Sequence, residues 1–399
     1  MSWLSVVGIG ADGMAGLGAQ ARDAVERAEV LVGGARHLAM VPPDARPRLA
    51  WRSPLLDTLP ELLALRPQRV AVLASGDPLW YGIGRLLLRH VPLSEVTILP
   101  HVSAFQETCS RLGWPLEDVQ TLTAHGRPVS ALRRHFQPGR RLLILTADGK
   151  APAEIAGSLA QAGFGASRTV VLAQLGDAGE QLSDGTAAAM GTARHADLNL
   201  LAVEVHADAG REALPLGPGL ADEAYEHDGQ LTKAEVRAVT IAALAPREGE
   251  LLWDVGAGAG SVAIEWLRSG RTMTAIAIER DPVRAARIRS NAERLGVPEL
   301  EVQVGEAPAA LAGLAEPRAI FVGGGAAAPG LIGQCWQRLG HGGRLVVNAV
   351  TLAGEQALLA FHAAHGGRLL RLGLARAETV GGQLVWRPAM PVTQLAARK

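Results

Sequence analysis

The residues with the most chemical promise in this 399-residue sequence are glycines and carboxylates that follow short apolar runs. In LLWDVGAGAGSVAIEWL (251–267), Asp254 stands just before Gly256, Gly258 and Gly260. Missing Cβ atoms let a backbone touch a ligand, and ligands of open α/β sheets bind at the carboxyl ends of the strands. Such a loop can hold a dinucleotide, a sulfonium nucleoside, or only a tightly packed helix. Charge discriminates among these. A carboxylate at Asp254 opposes a pyrophosphate at a helix N-terminus and favours the ammonium and sulfonium groups of S-adenosylmethionine. Glu279 ends the next apolar run, where an acid can take ribose hydroxyls. Gly305-Glu306 and Gly323-Gly324-Gly325 end two further runs and extend the expected cofactor rim.

The first half shows the same design. Gly8 lies near the end of the run LSVVGI, and Gly10 and Gly13 follow it with Asp12 among them. In SGDPLWYGIG (75–84), Gly76-Asp77-Pro78 forms a rigid turn with a carboxylate at its tip, because the proline holds Asp77 extended. PHVSAFQETC (100–109), with Ser103, and the triplet His125-Gly126-Arg127 also follow apolar runs. Neither a GxSxG elbow, nor HExxH, nor a helix with paired carboxylates occurs. His362 and His365 lie one helical turn apart without a third ligand, so a solvated helix face is expected there and no metal.

Strands and helices must position these loops. Apolar runs at WLSVVGI, VLVGG, RVAVLAS, VTILP, RLLILTA, RTVVLAQL and NLLAVEV read as strands of the first half. In the second half LLWDV, TAIAIE, LEVQV, RAIFVGG and RLVVNAV alternate with helical patterns such as DPVRAARIRSNAERLG. There Asp281 can cap, Pro282 suits the first helical position and Gly296 closes the end. Five such alternations mean a doubly wound, mostly parallel sheet. The tail, RLLRLGLARAE then QLVWRPAMPV, fits an antiparallel hairpin on the sheet edge. The expected division is a first domain over 1–206, a Gly- and Pro-rich linker and entry over 207–229, and a second domain over 230–399.

Composition narrows the partners. Apolar residues make up 48%, and 39 basic side chains balance 39 acidic ones, which excludes a disordered chain and gives no basic excess for nucleic acid. No apolar run approaches the roughly 18 residues of a membrane span, so no membrane partner is expected. Two distant cysteines, Cys109 and Cys335, build neither a disulfide framework nor a CxxC site, and a reducing cytoplasm is expected.

These motifs carry a resemblance. The first half resembles the tetrapyrrole methylase superfamily in VVGIGADG, SGDP, PHVSAF and TADGKAPAEIA. The second resembles the class I S-adenosylmethionine methyltransferases that act on precorrins, in LTKAEVRAVTIAAL (231–244), WDVGAGAGSVAIE, AIERD and FVGGG. The resemblance spans nearly the whole chain and implies a class III methyltransferase fold followed by a Rossmann-like domain with a seven-stranded sheet. It implies methylation of precorrin-6B at meso carbons 5 and 15 and decarboxylation of the ring C acetate, giving precorrin-8X in cobalamin biosynthesis. The first domain is then associated with carbon 5, the second with carbon 15 and decarboxylation, with one S-adenosylmethionine site each and a homo-oligomer expected. On this view Thr232 joins the cofactor-contacting residues, and His125 and Lys233 are the catalytic candidates. Precorrins carry many carboxylates, so Arg127 and Arg237, with Lys233, are the candidates to hold them. Two rival classes stay open: a methyltransferase of RNA or protein, and a non-catalytic dinucleotide binder.

Overall fold

The computed structural model describes residues 2–399. The chain forms two compact units: residues up to Arg127 with Gln137–Arg211, and Pro128–Phe136 with Glu212–Lys399.

The first unit holds two five-stranded sheets. β1 (Leu4–Ile9), β2 (Val30–Gly33), β3 (Arg48–Ala50), β4 (Val70–Ser75) and β5 (Val96–Leu99) lie in the order β3-β2-β4-β1-β5. Every pairing in this sheet is parallel. Strands covered on both faces read as continuous apolar runs, and β2 is buried throughout. The second sheet comprises β6 (Val119–Thr123), β7 (Arg141–Leu145), β8 (Arg168–Ala173), β9 (Gln181–Thr186) and β10 (Asn199–Glu204), in the order β6-β7-β10-β8-β9. Only β6–β7 is parallel there. All seven predicted runs are strands. β3, β6 and β9 were not predicted, and they are short, polar or exposed.

The second unit carries β11 (Leu251–Val255), β12 (Thr274–Glu279), β13 (Glu301–Val304), β14 (Ala319–Val322) and β15 (Arg344–Ala349). β16 (Arg368–Leu372), β17 (Ala375–Val380), β18 (Gln383–Pro388) and β19 (Val392–Arg398) follow. Seven of these form one sheet, β13-β12-β11-β14-β15-β19-β16, in which only β19 runs antiparallel to its neighbours. The chain leaves β11 for β12 on one side and places β14 on the other, which puts the topological switch at the end of β11. Helix Pro282–Arg294 starts and ends as expected, with Asp281 accepting from the Val283 amide at 2.8 Å and Gly296 at φ +83°.

Two expectations need correction. The tail does contain an antiparallel hairpin, β17 with β18, but as a separate ribbon and not on the sheet edge, while β19 inserts between β15 and β16. The stretch read as linker and entry is in part core, since Leu220 and Tyr225 are buried. The Gly219 and Leu220 amides donate to Glu265 at 2.7 and 2.9 Å, which fixes that segment to helix Ser261–Arg268.

Candidate active sites

Each unit contains a cavity at the carboxyl ends of its parallel strands. The second unit's cavity, about 740 Å³, is lined by Thr232, Lys233, Gly256, Gly258, Glu279, Gly305, Glu306, Gly323 and Gly324 among others. The glycine loop after β11 shapes its floor. Gly256 sits at φ +71°, and a Cβ there would lie 2.9 Å from the Gly324 backbone, so the two loops touch only because both lack side chains. Gly260 serves packing: a Cβ would meet the Ile288 side chain at 2.7 Å, and it does not line the cavity.

Glu279, at the end of β12, is nearly buried and lines this space. Its Oε2 accepts from the Gly258 amide at 2.9 Å and its Oε1 from the Asp281 amide at 3.1 Å. The carboxylate is thus fixed beside the loop, with further lone pairs for hydroxyl donors. Glycine backbone and a fixed carboxylate form a cradle that fits the adenosyl part of a nucleoside cofactor, with Glu279 placed for ribose hydroxyls.

Asp254 does not contribute as expected. It is 1% exposed and absent from the cavity wall; its Oδ2 accepts from the Ala263 amide at 3.0 Å, in the first turn of helix Ser261–Arg268. Burial, with the Glu279 charge adding, raises its pKa to about 7, against the lowering effect of the Ala263 bond. Its place is under the loop, so its charge cannot be the contact that discriminates ligands.

Arg237 also departs from expectation. It is fully buried and does not reach the cavity. Its Nε lies 2.5 Å from Glu265 Oε1, its other nitrogens donate to the Thr232 and Leu220 carbonyls, and its guanidinium lies 4.7 Å from the Tyr225 ring centroid. With its donors spent on the interior, it cannot hold a substrate. Lys233 does face the cavity, as the N-cap of helix Ala234–Leu244, with Nζ 3.4 Å from Asp222. Arg280, Arg284 and Arg376, none of them singled out in the sequence, line the same space. Arg284 pairs with Asp228 and Arg376 with Glu235.

The first unit's cavity, about 630 Å³, is lined by Gly10, Gly76, Asp77, Ser103, His125 and Arg127 among others. Gly8 and Pro78 do not line it. Gly8 allows close approach instead, since a Cβ there would fall 1.8 Å from the Gly76 carbonyl oxygen. Pro78 accepts from the Gly84 amide at 2.9 Å and so holds the turn. Ser103 caps helix Ala104–Leu112 through a reciprocal bond pair with Gln106. His125 and Arg127 are exposed at the rim, the Arg127 guanidinium 5.9 Å from the Tyr81 ring centroid. Sequence reading missed Arg36, His37, Ser75 and Glu107 on this wall.

Among the described residues no group of three or more His, Cys, Asp or Glu is arranged to hold a metal ion. His365 packs on Phe361, ring centroids 4.6 Å apart. Both cysteines are buried, and burial pushes the Cys335 thiol up to about 12. No helix among the described residues is long and apolar enough to cross a membrane.

Comparison with known proteins places both units. Residues 4–191 match the family model of tetrapyrrole (corrin/porphyrin) methylases, and residues 223–399 match that of a precorrin methyltransferase domain. Fold and site therefore define a methyltransferase assembled from these two domain types. A curated relative from Sinorhizobium sp, named precorrin-6Y C(5,15)-methyltransferase [decarboxylating], is 49% identical over 98% of this chain and 95% of its own length. One from Mycobacterium tuberculosis with the same name is 42% identical over 99% of both chains. The chain belongs to the precorrin-6Y C(5,15)-methyltransferase (decarboxylating) family. A solved structure, the C-terminal domain of the Rhodobacter capsulatus precorrin-6Y C5,15-methyltransferase, is 45% identical and covers 46% of this chain and 100% of its own, with a TM-score of 0.44.

Proposed function

We propose that this chain methylates precorrin-6B at meso carbons 5 and 15 and decarboxylates its ring C acetate, giving precorrin-8X in cobalamin biosynthesis. The first unit carries the carbon 5 reaction, and the second carries the carbon 15 reaction and the decarboxylation. The observation that carries this reading is the pair of separate cavities, each rimmed by glycine backbone and carboxylates at strand ends, in a chain of this family. A homo-oligomer in the cytoplasm, without a nucleic-acid or membrane partner, completes the reading. The exposed Leu384 and Trp386 of the β17–β18 ribbon offer apolar surface for self-association.

S-adenosylmethionine, when bound, supplies an electrophilic methyl group. In the second unit the Gly256–Gly258 loop, Glu279 and Gly305 would hold it; in the first, Gly10, Gly76 and Asp77. What the protein adds is alignment and exclusion of water. Holding reacting atoms at near-attack distance can lower a barrier by about 7–11 kcal/mol in well-oriented cases. Lys233 and Arg376 stand at the second cavity to bind tetrapyrrole carboxylates. The conjugated macrocycle provides the electron pair for each new carbon–carbon bond, and the meso carbon then releases its proton. In the decarboxylation the pair freed with carbon dioxide enters the same conjugated system, and the side-chain carbon gains a proton.

Mass spectrometry of precorrin-6B incubated with the protein and S-adenosylmethionine tests the reading. Gain of two methyl groups and loss of one carbon dioxide is the expected result; an unaltered tetrapyrrole would overturn it.

A further inference from the structure

Arg36, His37 and Ser75 form a polar cluster in the wall of the first cavity that the reactions above leave without a role. Ser75 ends β4, while Arg36 and His37 lie in the short helix that follows β2. β2 and β4 pair in parallel, which brings their carboxyl ends together. Arg36 Nη2 lies 3.0 Å and His37 Nε2 2.8 Å from the same atom, Ser75 Oγ.

The hydrogen bonding limits what this cluster presents. His37 Nδ1 is buried and has no partner among the described residues. Arg36 Nη2 also lies 3.3 Å from His37 Nε2, so the three groups bond to one another; in the tautomer with the ring proton on Nε2, that proton goes to Ser75. Burial and the neighbouring Arg36 charge push the His37 pKa down to about 4, so the ring is neutral near pH 7. In that tautomer, with Arg36 also donating, both lone pairs of Ser75 Oγ are taken and its hydroxyl proton is left to point elsewhere. Arg36 has no ion-pair partner among the described residues, whereas Arg46, Arg48 and Arg52 each have one. Desolvation lowers its pKa, and Asp177 offsets this from a distance. The cluster therefore offers donors and one positive charge held in no ion pair among the described residues, the complement of a carboxylate. Trp51, whose amide donates to the Gly33 carbonyl at 3.0 Å, lines the cavity on the same side and supplies a flat apolar surface.

We propose that Arg36 and Ser75 anchor a side-chain carboxylate of the tetrapyrrole in the first unit, with His37 as the residue that positions the Ser75 hydroxyl. This inference rests on the function proposed above. The methyl donor also carries a carboxylate, so the test separates the two sources.

The full chain is assayed with precorrin-6B and S-adenosylmethionine, following carbon 5 methylation by mass spectrometry and S-adenosylhomocysteine binding by calorimetry. Arg36→Ala is expected to raise the tetrapyrrole KM of carbon 5 methylation about tenfold or more. S-adenosylhomocysteine affinity, carbon 15 methylation and decarboxylation should stay unchanged, and Arg36→Lys should recover part of the loss. His37→Gln, which keeps a donor, should retain the KM that His37→Leu loses, with kcat preserved in both. An unchanged tetrapyrrole KM in Arg36→Ala would overturn the anchor alone. So would a fall in S-adenosylhomocysteine affinity, which would assign the cluster to the donor's carboxylate or to the fold. A wild-type chain that leaves precorrin-6B unmethylated would instead remove the functional reading and the anchor with it.

Discussion

Asp254 Oδ2 accepts the Ala263 amide proton at 3.0 Å from beneath the glycine loop, sealed from the cavity that the loop encloses. The carboxyl group titrates at about 7 in the folded chain, against an ordinary value of 3.8. Between those values the folded state binds a proton that the unfolded state has released, so the slope of stability with pH is negative. The contribution is complete below the ordinary value and is lost as pH rises through about 7, amounting to at most about 4 kcal/mol. Asp254→Asn keeps an oxygen for Ala263 and removes the titration. Denaturation of wild type and variant at pH 5 and pH 8 should show the variant gaining relative to wild type at the higher pH. Taking the difference cancels His37, whose lowered pKa acts in the opposite sense.

The buried pair of Arg237 and Glu265 makes a separate prediction. Removing one member strands the other's charge in the core, at a cost of about 3–5 kcal/mol. Arg237→Ala should therefore lower the unfolding midpoint of the second unit markedly. A double replacement of Arg237 and Glu265 by apolar residues should cost less than either single change, as a double-mutant cycle would measure.

The glycine contacts predict unit-specific losses. Gly256→Ala places a Cβ at φ +71° against the Gly324 backbone, a conformation costing about 1–2 kcal/mol before any clash. Gly8→Ala forces a Cβ onto the Gly76 carbonyl. Titration calorimetry with S-adenosylhomocysteine should show two sites per chain in wild type and one in each variant. Carbon 15 chemistry should be lost in the first variant and carbon 5 methylation in the second.

Lys233 caps helix Ala234–Leu244 without a side-chain bond to it, and among the described residues its ammonium is held by Asp222 alone, at 3.4 Å. Lys233→Ala should weaken tetrapyrrole binding in the second unit about tenfold and leave S-adenosylhomocysteine affinity intact. Steady-state KM values for the two substrates of carbon 15 methylation would check this.

Elements buried on both faces were legible because their apolar runs are continuous; β9, exposed along its length as QLSDGT, carried no such signal. The insertion of β19 between β15 and β16 is a pairing between distant segments, and no local pattern encodes it. Glycines announced the rims because a missing side chain acts through the backbone wherever it stands. Charged residues were harder, since a sequence position does not tell which way a side chain faces. For Arg237 a signal existed: Val236, Arg237, Thr240, Ile241 and Leu244 share the buried stripe of their helix, and an arginine on that stripe must pair inward. Asp254 lies in a strand buried on both faces, which already placed its carboxylate inside. Arg36 sits in a five-residue helix with no readable face, so only the pairing of β2 with β4 reveals its neighbour Ser75.

The interior position of β19 bears on how the chain can be made. A polypeptide leaves the ribosome from its amino end, and the hydrogen-bonding edges of β15 and β16 wait unsatisfied until residues 392–398 emerge. The first unit has all its strands in hand by Glu204 and can mature early in translation, whereas the second must wait for Val392–Arg398. A truncation that removes Val392–Arg398 would therefore strike assembly of the second unit while sparing the first.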